Sequence, residues 1–402
     1  MSVLTTADVQ AAADLLKGIA IRTVMEESRW LSSTVGGPVL LKCENLQRTG
    51  SFKIRGAYVR MSRLSAEERA RGVVAASAGN HAQGVALAAK MLGIKATVFM
   101  PQGAPIPKLN ATRGYGAEVI FHGTILDEAL AHAIEYAEQT GAVLIHPFDH
   151  TDIVAGQATV GLEILEQAPE AASVLVPTGG GGLIAGIALA IKAQRPDIRV
   201  IGVQAEGAAA YPGSLAAGKP LALESMTTMA DGIAVACPGV VPFAEIAEHV
   251  DEVITVSEES ISHALVLLLE RAKMVVEPAG AVGVAAVLDH PDAFPTPSVV
   301  VLSGGNIDPL LLGKVIRHGM ASAGRYLNIH VRIPDRPGGL ARLLGELADA
   351  GANVLEVVHQ RTSISLSVDE VEVHVQVETR GPEHAAAVLA RLREHGYQVD
   401  AV

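Results

Sequence analysis

Seven short apolar runs alternate with longer helical patterns through the first three quarters of the chain, and this alternation constrains the fold more than any other feature. The runs that are typical of buried strands cover residues 39–41, 72–76, 96–100, 118–121, 174–176, 200–203 and 299–302. Helical patterns such as 84–92 and 183–192 lie between many of them. Continuous apolar strands alternating with helices predict an α/β fold with a parallel sheet covered on both faces. Ligands of such sheets bind beyond the carboxyl ends of the strands, so chemistry is expected there.

The pattern changes after about residue 325. Ile329, Val331 and Ile333 alternate with polar residues, as in a half-buried strand. The segments that follow are a turn at 335–339, a helical stripe at 340–347, strands at 354–358 and 371–377, a helix at 385–394 and a strand at 397–402. The order β-α-β-β-α-β predicts a ferredoxin-like α+β unit. We place the boundary near 323–326, which gives domains 1–323 and 327–402.

Composition excludes several classes of function. A formal net charge of -12, with no block of lysine and arginine, makes nucleic acids and anionic membrane surfaces poor partners. Two cysteines, Cys43 and Cys237, cannot form a disulfide framework and are typical of a reducing compartment. The apolar helical stretch at 183–190 is well short of the roughly 20 residues that span a bilayer, and no signal-peptide pattern opens the chain. We therefore expect a soluble, cytoplasmic protein.

Lys53 is a candidate catalytic residue. It lies between Phe52 and Ile54, in the segment 49–57, just after a Gly-Ser turn. Burial by apolar neighbours lowers the pKa of a lysine and leaves part of the population neutral, nucleophilic and able to form Schiff bases with carbonyl compounds. Taken alone, the same residue fits a solvated lysine at the start of an amphipathic helix, since most lysines are exposed. The choice between the two depends on the other segments.

Four further segments complement Lys53, and at least three of them follow or lie beside a predicted strand end. They are 77–81, 178–183, 230–233 and 303–306. N–H groups at the start of a helix attract anions, so the first segment could hold a carboxylate, although it could also be a simple helix N-cap. Four consecutive glycines in the second segment let backbone N–H groups converge on a phosphate. That loop matches neither the Walker pattern nor the Gly-x-Gly-x-x-Gly dinucleotide pattern.

Together these segments resemble the fold-type II pyridoxal phosphate (PLP) enzymes, and most closely the threonine dehydratases (threonine ammonia-lyases) that carry a C-terminal ACT domain. Residues 42–57, 77–84 and the four-glycine loop carry the resemblance, which covers nearly the whole chain. It implies a tryptophan synthase β-like fold with two parallel-sheet subdomains, the smaller one at about 51–150, followed by a ferredoxin-like ACT domain. It also implies PLP as the cofactor and a small amino acid as the substrate.

The resemblance assigns roles to residues. Lys53 would form the Schiff base with PLP and take a proton from Cα of the substrate. The residues implied to bind the cofactor are Phe52, Lys53, Asn80, Gly179, Gly180, Gly181, Gly182, Leu183, Gly232 and Ser303. The residues implied to receive the substrate carboxylate are Ser77, Ala78, Gly79, Asn80 and His81. The related serine racemases carry a serine hydroxyl where this chain has Ala78, so elimination with little racemisation is expected.

The C-terminal unit resembles an ACT domain, a ligand-sensing module that usually pairs across subunits. Its implied amino acid site comprises Asp335, Gly338, Gly339, Leu340 and Asn353. The resemblance implies allosteric feedback by isoleucine or valine, and a homo-oligomer that is either a dimer or a tetramer. A domain that serves only oligomerisation is the alternative.

No metal site is predicted from this sequence, and a divalent metal in particular is not expected. Glu206 and Ala210 resemble part of a cation site in relatives, but Pro212 stands near the point where some of them have an acidic ligand. Binding of a monovalent cation at this place is left open by the sequence. The segment 146–149 resembles one that lines the substrate side, whereas Lys42 is expected to point away from the crevice.

Three functions fit this sequence. The first is a regulated elimination of water from L-threonine, which gives 2-oxobutanoate and ammonia. The second is a dehydratase for L-serine or 3-hydroxyaspartate, or a β-replacement synthase. The third is a non-catalytic amino acid sensor, and the intact Lys53, phosphate loop and Ser303 argue against it.

Overall fold

The computed structural model describes residues 4–104, 106–361, 367 and 369–401. Numbered along the chain, the strands are β1 (Met25–Glu27), β2 (Val39–Lys42), β3 (Val73–Ala76), β4 (Ala96–Met100), β5 (Glu118–Phe121), β6 (Val143–Leu144), β7 (Ser173–Pro177), β8 (Arg199–Ala205), β9 (Glu252–Val256), β10 (Ser298–Val301), β11 (Tyr326–Pro334), β12 (Asn353–Gln360), β13 (Glu370–Glu378) and β14 (Gln398–Ala401). All seven runs predicted from the sequence are strands, at β2, β3, β4, β5, β7, β8 and β10.

The α-helices are likewise numbered along the chain. They are α1 (Thr6–Leu15), α2 (Arg29–Val35), α3 (Lys53–Ser62), α4 (Ala66–Arg71), α5 (Asn80–Leu92), α6 (Ile106–Gly114), α7 (Leu126–Thr140), α8 (Thr151–Gln167), α9 (Gly182–Lys192), α10 (Ala210–Ala217), α11 (Val240–His249), α12 (Glu258–Leu267), α13 (Pro278–Asp289), α14 (Pro309–Ser322), α15 (Gly339–Asp349) and α16 (Pro382–Glu394). Among the described residues, no helix combines the length and apolar character needed to cross a membrane.

Contacts divide the chain into two compact units, Met1–Asp308 and Pro309–Val402. The first unit contains two sheets. One has six strands in the order β1-β2-β10-β7-β8-β9, parallel except for β1, and the other has four parallel strands in the order β5-β4-β3-β6. Every residue of β3, β4, β7 and β10 is buried, because helices cover both faces. The α/β class predicted from the apolar runs is therefore confirmed.

Close backbone contacts hold helix α3, which begins at Lys53, against α5 and α8. A Cβ atom added to Gly156 in α8 would lie 2.6 Å from Cα of Gly56 in α3. A Cβ atom on Gly84 in α5 would lie 3.0 Å from the carbonyl carbon of Lys53. Only glycine permits these approaches, so Gly56, Gly84 and Gly156 set the position of α3 between its neighbours.

Four charged side chains form a buried network that joins β2, α3 and α8. Arg55 donates to both carboxylate oxygens of Glu44, at 2.8 and 2.9 Å, and to Glu163 at 2.7 Å. Lys42 donates to the other oxygen of Glu163 at 2.5 Å and to the carbonyl of Thr23 at 3.0 Å. Burial lowers the pKa of Lys42, and the neighbouring Glu163 carboxylate opposes that shift. Lys42 contacts Glu163, and Glu163 in turn contacts Arg55, so Lys42 helps to hold the first turn of α3 in place.

The second unit is a four-stranded antiparallel sheet in the order β12-β13-β11-β14, with α15 and α16 packed on one face. Ile329, Val331 and Ile333 are buried against these helices, as their alternation predicts. The ferredoxin-like element order is confirmed. The split at Asp308 places α14 in the second unit. The domain limits 1–323 and 327–402, and the smaller subdomain at about 51–150, remain predictions from the sequence.

Candidate active site

A cavity of about 420 Å³ in the first unit is lined by residues from the carboxyl ends of strands in both sheets. Every residue predicted to bind cofactor or substrate lines it: Phe52, Lys53, Ser77, Ala78, Gly79, Asn80, His81, Gly179, Gly180, Gly181, Gly182, Leu183, Gly232 and Ser303. These residues come from segments far apart in the chain, which the parallel sheets bring to one edge.

Lys53 opens helix α3 and projects its amine into the cavity. Its Nζ donates to the carbonyl of Pro147 at 3.0 Å and lies 5.0 Å from the centre of the Phe52 ring. Burial lowers the pKa of Lys53 to about 8, although the Glu277 carboxylate acts in the opposite direction. An amine with that pKa is partly neutral near neutral pH, so it can act as a nucleophile or a base.

The four-glycine loop connects β7 to α9, and the side chains of Tyr211 and Phe148 pack closely against it. Gly181 has a φ of +97°, which favours glycine, and a Cβ atom on it would collide with the Tyr211 hydroxyl oxygen. A Cβ atom on Gly180 would collide with the Phe148 ring. Side chains are therefore excluded from this turn, which leaves its backbone N–H groups at the start of an 11-residue helix to face an anion.

A hydrogen-bonded network of amides orients Asn80. Its Nδ2 donates to Glu277 Oε1 at 2.6 Å, while its Oδ1 accepts from Asn306 Nδ2 at 2.7 Å. Asn306 also donates to the carbonyl of Thr49 at 2.7 Å. The side-chain amide of Asn80 is therefore fixed by partners on both sides, from the segments that follow β10 and precede α13.

The loop 77–81 lies at the start of α5. The backbone N–H of Gly79 donates to Ser77 Oγ at 3.0 Å. His81 is buried, with Nε2 2.7 Å from the carbonyl of Ile145, so this nitrogen carries the proton. Burial lowers the pKa of His81 to about 3, and the charge of Lys53 adds to the effect. The imidazole is thus a neutral support for the loop at physiological pH.

Three charged residues of the cavity were not assigned a role from the sequence: Lys108, Asp231 and Glu277. Lys108 Nζ donates to Asp231 Oδ2 at 2.7 Å and lies 3.8 Å from the point where a Gly79 Cβ would be. Burial, together with the charge of Asp231, raises the pKa of Glu277 to about 7. A sequence signal for Glu277 exists, because Pro278 at the first position of a helix marks the preceding residue as its cap. Lys108 carries no such signal.

Two polar atoms in the cavity wall are without a partner. Glu277 Oε2 and Gln157 Oε1 are buried and have no hydrogen-bond partner among the described residues. An unpaired buried acceptor costs about 1–3 kcal/mol, so such atoms usually face a ligand or water. These two oxygens call for donor groups on a ligand, whereas the lysine and the glycine loop offer sites for an anion, so the cavity suits a polar ligand that carries both kinds of group.

The remaining predicted residues lie at several places. Ser303 is buried two residues after the end of β10, where its carbonyl accepts from the N–H of Phe52 at 3.3 Å. A Cβ atom on Gly232 would lie 2.9 Å from that of Ala279. In the second unit, the predicted amino acid site falls at the start of α15 and of β12: Asp335, Gly338, Gly339, Leu340 and Asn353. Gly338 caps α15 with a φ of +85°.

Comparison with known proteins gives two family matches. The pattern of the pyridoxal-phosphate dependent enzymes matches residues 17–304, and that of the ACT domain matches residues 327–394. The L-threonine ammonia-lyase of Thermotoga maritima is 47% identical over 98% of this chain and 99% of its own length. The L-threonine ammonia-lyase of Geobacter sulfurreducens is 49% identical over 98% of each chain. The structure of the processed form of threonine deaminase isoform 2 from Solanum lycopersicum superposes with a TM-score of 0.74, at 39% identity, over 77% of this chain and 91% of that one.

Proposed function

The chain belongs to the pyridoxal-phosphate dependent enzyme family, in its fold-type II form with a C-terminal ACT domain, and we propose that it eliminates water from L-threonine to give 2-oxobutanoate and ammonia. The observation that carries this proposal is the near full-length identity of 47% and 49% to two L-threonine ammonia-lyases. The lysine of lowered pKa, in a cavity lined by the glycine loop and by the loop 77–81, supports the same reaction class. The enzyme is thus a carbon–nitrogen lyase.

The residues of the cavity fit PLP. The backbone of Gly179 to Gly182 would hold its phosphate, the amine of Lys53 would bind its carbonyl carbon, and the Ser303 hydroxyl would face its ring nitrogen. The unpartnered carboxylate oxygen of Glu277 offers one more acceptor in the same cavity. When bound, PLP supplies an electron sink for the negative charge that develops at Cα of an amino acid.

Lys53 is the base in this proposal. Its amine, with a pKa of about 8, removes the proton from Cα, and the β-hydroxyl takes up a proton as it leaves as water, for which the ammonium of Lys53 is one source. The loop 77–81 receives the substrate carboxylate at the start of α5, where the helix dipole favours an anion. The ammonium of Lys108 lies beside this loop and adds to the attraction.

Proton transfer is proposed to occur on one face of the substrate. Lys53 approaches from α3, and Ala78 carries only a methyl group in the loop that lines the cavity wall. A methyl group can neither give nor take a proton. We therefore propose elimination with little formation of the D-amino acid. Substantial D-threonine or D-serine from the purified enzyme would contradict this.

An assay of 2-oxo acid release tests the proposed reaction. L-Threonine, L-serine and 3-hydroxyaspartate are compared at equal concentration, with O-acetylserine plus a thiol to detect β-replacement. We expect the highest kcat/KM with L-threonine. A preference for another hydroxy amino acid would replace the substrate, and activity with none of them would favour an amino acid sensor.

The role of Lys53 is tested separately. Lys53→Ala should lose activity by several orders of magnitude, while Lys90→Ala, on the exposed face of α5, should not change it. Borohydride treatment of the wild-type holoenzyme, followed by peptide mapping, should place the cofactor on the peptide that contains Lys53. Cofactor found on another lysine would refute the assignment.

Regulation through the ACT domain is the second part of the proposal. Isoleucine or valine would bind in the second unit at Asp335, Gly338, Gly339, Leu340 and Asn353, and the chain would act as a cytoplasmic homo-oligomer. Isoleucine or valine should shift the threonine saturation curve of the wild type. Asn353→Ala should abolish the shift, whereas Arg393→Ala, at an exposed position of α16, should keep it. No shift with either amino acid would favour a domain that serves oligomerisation alone.

A further inference from the structure

A cluster of two histidines and one glutamate lies on the ACT sheet, on the face opposite α15 and α16. His330 in β11 pairs directly with His374 in β13, and Glu372 is two positions before His374 on the same strand. Side chains two residues apart in a strand share a face, and directly paired residues lie side by side. The ligand atoms of His330, Glu372 and His374 all lie within 4.8 Å of one another.

The three side chains already contact each other. The rings of His330 and His374 are stacked, with centres 3.6 Å apart and planes 6° from parallel. His374 Nε2 lies 3.0 Å from Glu372 Oε2. Arg332 lies 3.7 Å from the other carboxylate oxygen. The Glu372 carboxylate is therefore oriented by contacts to both His374 and Arg332.

Two members of the cluster, His330 and His374, border a surface depression of about 340 Å³ with room for water. Asn328, Glu356, Val358 and Gln376 contribute to its wall. Gln376 Nε2 donates to Asn328 Oδ1 at 2.9 Å, so part of this wall is held in place. A metal held by three protein ligands needs water or another oxygen donor to complete its coordination, and the depression supplies the space.

We propose that His330, Glu372 and His374 bind a divalent first-row transition metal ion, for which Zn²⁺ is the probe. Two imidazoles with one carboxylate suit such ions, whereas Mg²⁺ and Ca²⁺ prefer oxygen ligands alone. Donor atoms bonded to tetrahedral Zn²⁺ at about 2.0–2.1 Å are about 3.3 Å apart, so the two stacked rings must tilt out of parallel for their nitrogens to converge on one ion. The metal would tie β11 to β13, and its site is independent of the catalytic cavity.

The backbone provides a fixed frame for this site. β11 and β13 pair without a shift over nine residues, from Tyr326 opposite Glu378 to Pro334 opposite Glu370. Both strands are central in the sheet order, so each has a hydrogen-bonded neighbour on either side. Ligands on such strands stay at a constant spacing, which favours a metal over a flexible surface cluster.

Titration of the untagged, full-length holoenzyme, first stripped with a chelator, tests the proposal. Isothermal titration with Zn²⁺ should give one ion per chain, and Zn²⁺ should raise the unfolding temperature of the wild type. The double variant His330→Gln/His374→Gln should bind at least about tenfold more weakly. His359→Gln, an exposed histidine on neighbouring β12, is the matched control and should bind as the wild type does.

Spectroscopy distinguishes this site from adventitious binding elsewhere. Cu²⁺ added to the wild type should show nitrogen hyperfine coupling from two imidazoles, and His374→Gln should leave one. If the double variant does not fold, Glu372→Gln replaces it in the test, because it retains both imidazole rings. Glu372→Gln should weaken Zn²⁺ binding and leave the cofactor absorbance unchanged. Wild-type binding weaker than about 1 mM, or equal binding by wild type and double variant, would overturn the proposal.

Discussion

Lys53 and Glu277 are buried groups of opposite charge whose pKa values move towards each other within one cavity. Burial lowers the pKa of the lysine to about 8 and raises that of the glutamate to about 7. Desolvation disfavours the charged form of each, and it exceeds the attraction between them. The two pKa values therefore lie close together. Groups with similar pKa values can exchange a proton at little cost in free energy.

Glu277→Gln should shift the pH dependence of cofactor uptake to lower pH. The Glu277 carboxylate raises the pKa of Lys53, so its removal lowers that pKa and makes the neutral amine available at lower pH. Glutamine retains the acceptor for Asn80, so the amide network is kept. The measurement is the rate at which apoenzyme takes up PLP, followed by absorbance between about pH 6 and 9, a range that spans both titrations. An unchanged midpoint would show that Glu277 does not act on Lys53.

His81→Gln should flatten the loss of stability in mild acid. The folded-state pKa of about 3 lies below the ordinary value of 6.5, so the unfolded chain binds a proton that the folded chain cannot. The contribution of His81 is complete above pH 6.5 and is lost as pH falls towards 3. Urea unfolding at intervals from about pH 4.5 to 7.5 should show a smaller slope in the variant. Parallel curves for variant and wild type would contradict the assignment.

At the level of elements, helix α3 owes its position to contacts of two kinds. Gly56, Gly84 and Gly156 allow backbones to touch, and the network around Arg55 ties the first turn to β2 and α8. Apolar burial alone would allow the helix to slide, whereas glycine contacts and directional ion pairs do not. The reactive amine at the start of α3 is placed by these neighbours.

Gly156→Ala should destabilise the protein and impair catalysis together. The added Cβ would lie 2.6 Å from Gly56 Cα, so α3 must move, and overpacking of this kind costs about 1–3 kcal/mol. Gly213→Ala in α10 is the matched control, because a Cβ there meets no atom within 4 Å. It should stabilise by up to about 1 kcal/mol. The measurements are the free energy of unfolding and kcat of both variants. If Gly156→Ala and Gly213→Ala changed these quantities equally, the contact between α3 and α8 would not be tight.

For the whole molecule, each unit carries its own ligand chemistry. In the first, a cavity forms where two parallel sheets present their strand ends, and the ion pair of Lys108 with Asp231 joins α6 to the turn that precedes Gly232. In the second, one sheet face carries imidazole and carboxylate groups. The glycine loop after β7 and Lys53 at the start of α3 come together only when the first unit is folded as a whole.

Lys108→Met should raise the KM for the amino acid substrate by about tenfold and change kcat less, since a hydrogen bond to a charged group contributes about 1.5–3 kcal/mol. The ammonium lies beside the loop proposed to receive the carboxylate. Lys108→Arg keeps the charge and should recover part of the loss. Steady-state kinetics of both variants provide the measurement. A fall in kcat alone would assign Lys108 to chemistry instead of binding.

Much of this architecture could be predicted because it rests on local patterns. β4 and β5 match their predicted bounds, and β4 is a largely apolar run that is buried on both faces. β9, with a half-exposed pattern, and the two-residue β6 were missed because their periodicity is weak. Lys108 and Glu277 were also missed, because their partners lie on distant segments that only tertiary packing brings together. The approach of Gly156 to Gly56 is likewise a property of helix packing.

The buried network of Lys42, Glu44, Arg55 and Glu163 has a consequence for how this sequence can change over evolutionary time. Replacing any one member leaves a buried charge without its partner, at a cost of about 3–5 kcal/mol, against a total stability of about 5–15 kcal/mol for a typical domain. A single replacement therefore removes a large part of the stability of the protein. We expect substitutions at the four positions to occur together. Among homologous sequences we expect these positions to covary, with all four charges kept or all exchanged together for apolar residues.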